Sequence, residues 1–266
     1  MQTVQSSVIE GMKKTFGDMI RHWRDIRRFS QLALSTATGI SSRHISFLET
    51  GRSKPSRSSV LTIARVLAMP KTAVNDALLA AGFAPEFPSY DLTDVDLAPM
   101  MDAMMTILDN HAPLPAIILD GGWQIVGGNR SAMHMMQFLP MHGSMSVVDA
   151  LLNDDFEKPV FINWYEIATW TLLRLQVETT REGGTGPLTE IYQKLATDPR
   201  LAEKDLRSFS NNGPYLTLKV RVKDQTISLF TVLAEFTTAQ DINMSERRVE
   251  LFFAADETTK IFFEGF

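Results

Sequence analysis

The chain has 266 residues, 44% of them hydrophobic and 21% charged, enough for one large domain or two small ones. It contains no cysteine, which excludes disulfides, thiolate metal sites and thiol redox sensing within it. The net charge of -5 is divided unevenly: residues 1–82 hold twelve Lys or Arg against five Asp or Glu, net +7, and the other 184 residues hold fourteen against twenty-six, net -12.

A basic segment suits nucleic acid, whose phosphates release counterions when neutralised, whereas an acidic body is repelled from the duplex. Two domains with different partners follow as the simplest reading. The opening "MQTVQSSVIEGMKK" lacks the apolar run of a secretion signal, and no later run reaches the roughly 20 apolar residues of a membrane span. A soluble cytoplasmic protein without membrane insertion is expected.

In the basic segment, "TFGDMIRHWRDIRRF" (15–29) sets Phe16, Met19, Ile20, Trp23 and Ile26 at helical spacing between flanking arginines. Ser30 is placed to cap a second helix through Leu32, Leu34 and Ala37 that stops at Gly39. Ser41 then caps a third, with Ile45 and Leu48 facing inward, and "TGRSKPS" (50–56) reads as a loop. Ser56 or Ser58 caps a fourth helix built on Val60, Ile63, Ala64 and Leu67; Pro70 opens a fifth, closed by Gly82. None of the five is long enough to stand alone in water, so their apolar faces share one core.

A short helix presented by a tight glycine turn can enter a major groove N-terminus first. On the third helix Ser41 leads, and Ser42, Arg43 and Ser46 lie opposite Ile45 and Leu48. Arg43 can bond guanine bidentately, and the serines can donate or accept at several bases. His44 has two available roles, packing against Leu48 or touching phosphate. Gln31 is placed to clamp a phosphate, and Arg52, Lys54 and Arg57 to follow the backbone.

"FSQLALSTATGISSRHISFLETGRSKPS", followed by "VLTIARVLAMPKTAVNDALLAAGFAP", resembles the N-terminal domain of Xre/Cro-type helix-turn-helix regulators, in particular the branch that carries a C-terminal MmyB-like ligand-binding domain. The resemblance makes Gln31 a phosphate contact, Gly39 the end of the second helix and Ser41 to Leu48 the recognition helix, and gives Glu49 and Gly51 a structural role in the following loop. Ser35 stands where many relatives have alanine; both are small.

"FAPEFPSYDLTDVDLAP" (83–99) has three prolines and little periodicity and reads as the connection between domain 1–82 and domain 100–266. A helix is expected from about Pro99. Nine of the fourteen methionines lie between residues 100 and 145, a density that fits an adaptable pocket, an exchangeable interface or an ordinary core. "PAIILDGGWQIVGGNRSAMHMM" (115–136) reads as strand, turn, strand and then a helix from Asn129 or Ser131, without the features of a phosphate loop.

"KPVFINWYEIATWTLLRLQVETTR" (158–181) predicts a helix, and "LTEIYQKLATD" another. Alternation at 215–222, 226–237 and 247–255 predicts three more strands, giving about five in an α+β module with an antiparallel sheet. Asp120, His111, His134 and His142 have neither zinc-helix nor nucleophile-elbow spacing, so no enzyme, metal or cofactor is expected.

This half resembles the same family through "ILDGGWQIVGGNRSA", the pair Asn163 and Trp164, "LFTVLAEFTTAQD" and "RVELFFAADETT". The resemblance implies a PAS-like domain that binds a small apolar molecule, such as a fatty acid. It supplies no residue-level ligand motif. The physical reading alone nominates Met101, Met104, Met105, Trp123, Met136, Trp164, Phe230 and Phe236 as lining, with Trp123 and Trp164 equally readable as core. The chain thus reads as an all-α five-helix helix-turn-helix domain followed by an α+β PAS-like domain. The expected partners are double-stranded DNA with a palindromic operator, a small apolar ligand and a second copy in a homodimer. The rival reading makes the C-terminal domain a dimerisation module without ligand.

Overall fold

A computed structural model describes residues 14–202 and 214–265. Most of the opening stretch read for a secretion signal lies outside the described residues. The chain divides into two compact units, one ending at Phe87 and the other beginning at Pro88.

The first unit consists of five helices, α1 (Phe16–Ile26), α2 (Gln31–Thr38), α3 (Ser42–Glu49), α4 (Arg57–Val66) and α5 (Lys71–Ala80). Their starts are set by the expected side chains. The Thr15 and Asp18 side chains form a reciprocal cap, Ser30 accepts from Ala33 N, Ser41 from His44 N and Ser56 from Ser59 N. Gly39 ends α2 in the left-handed conformation at φ 73°, which glycine adopts without Cβ strain. Ile20, Trp23, Leu34, Ile45, Leu48, Ile63, Leu67 and Leu78 form the shared core. Leu32 of α2 is 69% exposed. The eight residues of α2 turn one narrow face inward, and Leu34 is the side chain buried there.

Residues 83–99 are divided between the units. The Asn75 side chain donates to Phe87 O and accepts from the Glu86 and Phe87 amides, holding that stretch to α5. From Pro88 onward the stretch belongs to the second unit, where Pro88 O accepts from Ile242 N, Asp241 accepts from Tyr90 N and Leu97 is buried.

The second unit is built on an antiparallel sheet of β1 (Ala116–Leu119), β2 (Ile125–Gly128), β3 (Leu218–Val222), β4 (Gln225–Glu235) and β5 (Arg248–Ala254), in the order β2-β1-β5-β4-β3. Alternation sends Ile117 and Leu119 to one face and Ala116 and Ile118 to the other. On the first face they join Ile125, Val220, Leu229 and Phe252 beneath α7 (Arg130–Met135), α8 (Val147–Leu152) and α13 (Glu257–Glu264), where Ala132, Leu151 and Phe263 close the core. On the second face α6 (Ala98–Asn110) and α12 (Ile242–Ser245) pack Met104, Leu108 and Met244 against Ile118 and Val249.

The long helix α9 (Trp164–Arg181) packs on α10 (Pro187–Ala196) and the short α11 (Pro199–Ala202). It begins six residues later than the pattern from 158 predicts. The backbone there has other partners: Ile162 N donates to Lys219 O, Arg221 N donates to Val160 O, and the Asp154 carboxylate accepts from the Val160 and Phe161 amides.

Asn129 holds the strand-to-helix junction from inside. Its Oδ1 accepts from Ala116 N at 3.1 Å and Ala132 N at 3.0 Å, and its Nδ2 donates to Leu108 O at 3.2 Å and Leu114 O at 2.8 Å. Replacing it with alanine orphans buried backbone groups on three elements. Asn129→Ala is expected to cost about 3 kcal/mol, read by calorimetry as a lower transition of the second unit.

Candidate nucleic-acid interface and ligand cavity

The end of α3 is fixed by a buried carboxylate. The Glu49 side chain is 1% exposed, yet Arg24 Nε lies 2.6 Å from Oε1 and Arg21 Nε 3.6 Å from Oε2. Gln31 Nε2 donates to Oε2 at 2.9 Å, and Arg21 Nη2 to the Glu49 carbonyl at 3.2 Å. Burial by itself pushes the Glu49 carboxyl up; the hydrogen bonds from Arg24 and Gln31 and the charges of Arg24 and Arg21 outweigh it and hold the pKa below its ordinary value. The Arg24 guanidinium is raised in return, chiefly through its bond to Glu49. Gly17 of α1 sits against the same point: a Cβ there would lie 2.6 Å from Glu49 O and 2.7 Å from Leu48 O, so only glycine permits this approach.

With α3 so anchored, Ile45 and Leu48 face the core and its other side is open. Ser41 and Arg43 are exposed and Ser42, His44 and Ser46 half-buried, which places the expected reading residues together on the front of one helix. The Arg43 guanidinium lies 5.3 Å from the centroid of the Phe47 ring. Phe47 escaped the sequence reading; its place one turn after Arg43 is the signal that would have found it. Arg52 and Lys54 are exposed in the following loop.

Two of the expected phosphate contacts have partners within the unit. Gln31, read as a phosphate clamp, has one amide hydrogen held by Glu49, leaving the other for a phosphate. Arg57, read as following the backbone, instead donates to Ala84 O at 2.6 Å and pairs with Glu86, which neutralises its charge.

The eight residues nominated for the ligand do not meet. Met104 is fully buried beside Met101 and Phe236 on one face of the sheet, whereas Met136 and Trp164 pack against the cluster on the other. Trp123 belongs to the core between α9 and α10, Phe230 stacks on Phe253 at 5.4 Å, and Met105 is 47% exposed. The physical reason is strand alternation and helix periodicity, which distribute near neighbours in sequence over different faces.

Of the eight, Trp164 alone lines a cavity of about 500 Å³, together with Phe156, Phe161, Tyr165, Asp154 and Arg200 among others. Arg200 is held rigidly there. It forms two bonds to Asp198, at 2.8 and 2.6 Å, donates to the carbonyls of Leu151, Leu152 and Asp154, and lies 4.1 Å from the Trp164 ring centroid. No sequence pattern flagged Arg200, because its partners are backbone carbonyls nearly 50 residues earlier.

The four groups considered for catalysis lie in structural roles or apart. Asp120 accepts from the Gly122 and Gln124 amides, His111 bonds Phe252 O at 2.7 Å, His134 stacks edge-on with Phe138, and His142 is exposed. Among the described residues no cluster of three or more His, Asp or Glu side chains is arranged to hold a metal, and no helix is long and apolar enough to cross a membrane.

Two outcomes test the anchor. Glu49→Gln removes the buried charge that pairs with Arg24 and Arg21 and should cost about 3 kcal/mol at neutral pH, measured by hydrogen exchange of the α1 and α3 amides. Because the folded pKa lies below the unfolded one, the wild-type advantage is complete above the unfolded value and fades as pH falls through the folded one, so the two proteins converge in acid. Gly17→Ala should cost about 1–3 kcal/mol in the same assay, since the obstructing atoms are backbone.

Comparison with known proteins gives two family matches: a helix-turn-helix domain over residues 15–77 and the MmyB-like transcription regulator ligand binding domain over residues 100–264. The curated proteins give no match. A solved structure described as "Structure of an RNA-binding Light-Oxygen-Voltage Receptor" aligns over 94% of this chain and 62% of its own, at 11% identity and a TM-score of 0.29, too low to carry an argument. With the second match spanning more than half of its length and the first running from α1 into α5, the chain belongs to the MmyB-like transcription regulators, a helix-turn-helix domain joined to a ligand-binding domain.

Proposed function

We propose that this DNA-binding transcription regulator reads specific sequence through α3 and that its second unit senses a small molecule with an apolar body, a fatty acid being one such class. The observation that carries the DNA reading is the front of α3: Ser42, Arg43 and Ser46 lie together on the side away from the buried Ile45 and Leu48. In a major groove Arg43 would bond guanine O6 and N7, the serines would meet neighbouring base edges, and the Phe47 ring would touch a thymine methyl. Ser41, His44, Arg52, Lys54 and the free amide hydrogen of Gln31 would lie along phosphates, fixing the register without reading sequence. Two copies on a palindromic operator would present two such helices to successive major grooves.

For the ligand, the supporting observation is the cavity of about 500 Å³ walled by Phe156, Phe161, Trp164 and Tyr165. That volume lies within the usual range for small-molecule sites, and the aromatic walls suit an apolar chain or ring. The ligand's leverage on DNA binding equals its differential affinity for the conformations that bind DNA well and poorly.

Arg43→Ala should weaken operator binding by about 1–3 kcal/mol and relax the preference at its base pair, whereas Lys54→Ala should weaken operator and random DNA alike; fluorescence anisotropy on both DNAs checks this. Equal losses on both DNAs for Arg43→Ala would refute base reading. Native mass spectrometry of freshly purified protein should show an added apolar mass that denaturation releases and that Trp164→Ala reduces. A bound mass that Trp164→Ala leaves in place would put the ligand elsewhere, and an empty protein would favour the dimerisation-module reading.

A further inference from the structure

The cavity of the second unit has a sign as well as a size. Three residues with carboxylates line it, Asp154, Asp155 and Glu166, against one cation, Arg200. Asp154 is only 7% exposed, and its oxygens accept from the Val160 amide at 2.8 Å and the Phe161 amide at 3.0 Å. Asp155 accepts from the Glu157 amide at 2.9 Å, and Glu166 from the Asn163 side chain at 2.7 Å. All of these donors are neutral. Among the described residues none of the three carboxylates enters an ion pair. A carboxylate has about four acceptor sites, so each keeps room for a further donor.

Arg200 does not offset this charge. Its guanidinium makes two bonds to Asp198, which lies outside the lining, and donates to the carbonyls of Leu151, Leu152 and Asp154. It also lies 4.1 Å from the centroid of the Trp164 ring and 5.5 Å from that of Phe156. A ligand carboxylate would therefore meet a cation already neutralised by Asp198 while facing three uncompensated negative charges. A ligand cation meets the reverse, since a cleft lined by one sign of charge concentrates ions of the other. The position of Arg200 also shows that the aromatic wall accepts a positive charge beside it.

We infer that the cavity takes an organic ammonium ion, its charged nitrogen near Asp154, Asp155 and Glu166 and its apolar part against Phe161, Trp164 and Tyr165. The attraction is strongest at Asp154, which is the carboxylate most withdrawn from water. The inference rests on the reading of this cavity as the ligand site. Within the class of molecules with an apolar body it selects a cationic head group over the carboxylate of a fatty acid.

Isothermal titration calorimetry of the full chain at neutral pH tests it with three compounds that share one chain, decylammonium, decanol and decanoate, each below its micellar concentration. Decylammonium should bind at least about tenfold more tightly than either of the others. Asp155→Asn combined with Glu166→Gln keeps acceptors for the Glu157 and Asn163 bonds; it should lower the affinity for decylammonium about threefold or more and leave decanol unchanged. Asp154→Asn should lower it further. Circular dichroism melting shows whether that variant folds, and if it does not, the exposed double variant carries the test alone. Trp164→Ala should weaken all three compounds. Equal affinities, or decanoate binding tightest, would overturn the ammonium ion and leave the cavity as the ligand site if Trp164→Ala still weakens binding. A preference for decylammonium that survives the double variant or Trp164→Ala would be attraction to the acidic surface and would also overturn it. Binding of none of the three would remove the cavity reading and the inference together.

Discussion

The geometry of the DNA-binding unit depends on placing a charged carboxylate where water does not reach. Glu49 sits at the end of α3, the helix proposed to meet DNA, and three side chains from two other helices converge on it: Arg21 and Arg24 from α1 and Gln31 from α2. Leaving such a charge unpaired in the interior is prohibitive, so its partners must keep their positions. The three helices are thereby held in one orientation by directional bonds as well as by an apolar core that alone would tolerate sliding. Gly17 completes the arrangement by letting α1 approach the backbone of α3 more closely than any side chain would permit. The exposed front of α3 is consequently held in place by the fold, so under the proposed reading the ordering cost of binding DNA is low.

The second unit uses the same device on a larger scale. Glu178 of α9 accepts from the Trp123 indole and pairs with Arg174 and Arg248, while Arg174 also reaches Glu250, so α9 is bonded to the turn after β1 and to β5. Burial opposes the charged form of Glu178, but Arg248, Trp123 and Arg174 hold its pKa below the usual carboxylate value. One helix thus carries an apolar face in the core and a charged one on the sheet. Its N-terminal residues Trp164, Tyr165 and Glu166 border the cavity.

Much of the fold was legible because it rests on local chemistry. Ser30, Ser41 and Ser56 announced helix starts, Gly39 and Gly82 helix ends, and alternation at 226–237 and 247–255 the long strands. The orientation of α3 was legible for the same reason, since eight residues with Ile45 and Leu48 turned inward leave little choice. What escaped was the long-range pairing. Arg57 looked like a free cation until residues 84–86 folded back on it, and Arg200 lay in a stretch without pattern although it clamps the end of α8. The methionine-rich stretch misled because composition cannot reveal that Met104 faces the sheet while Met105, the next residue, faces outward. A pocket assembled from several loops leaves no periodic trace in sequence.

The central claim is that the front of α3 reads base edges in the major groove, and methylation interference on a selected operator tests it most directly. Dimethyl sulfate blocks guanine N7 in the major groove and adenine N3 in the minor groove, so the two grooves report separately. The account predicts that methylating a particular guanine N7 in each half-site abolishes binding by the wild type, and that Arg43→Ala no longer discriminates at that guanine. Interference confined to adenine N3, or guanine interference unchanged in Arg43→Ala, would contradict it.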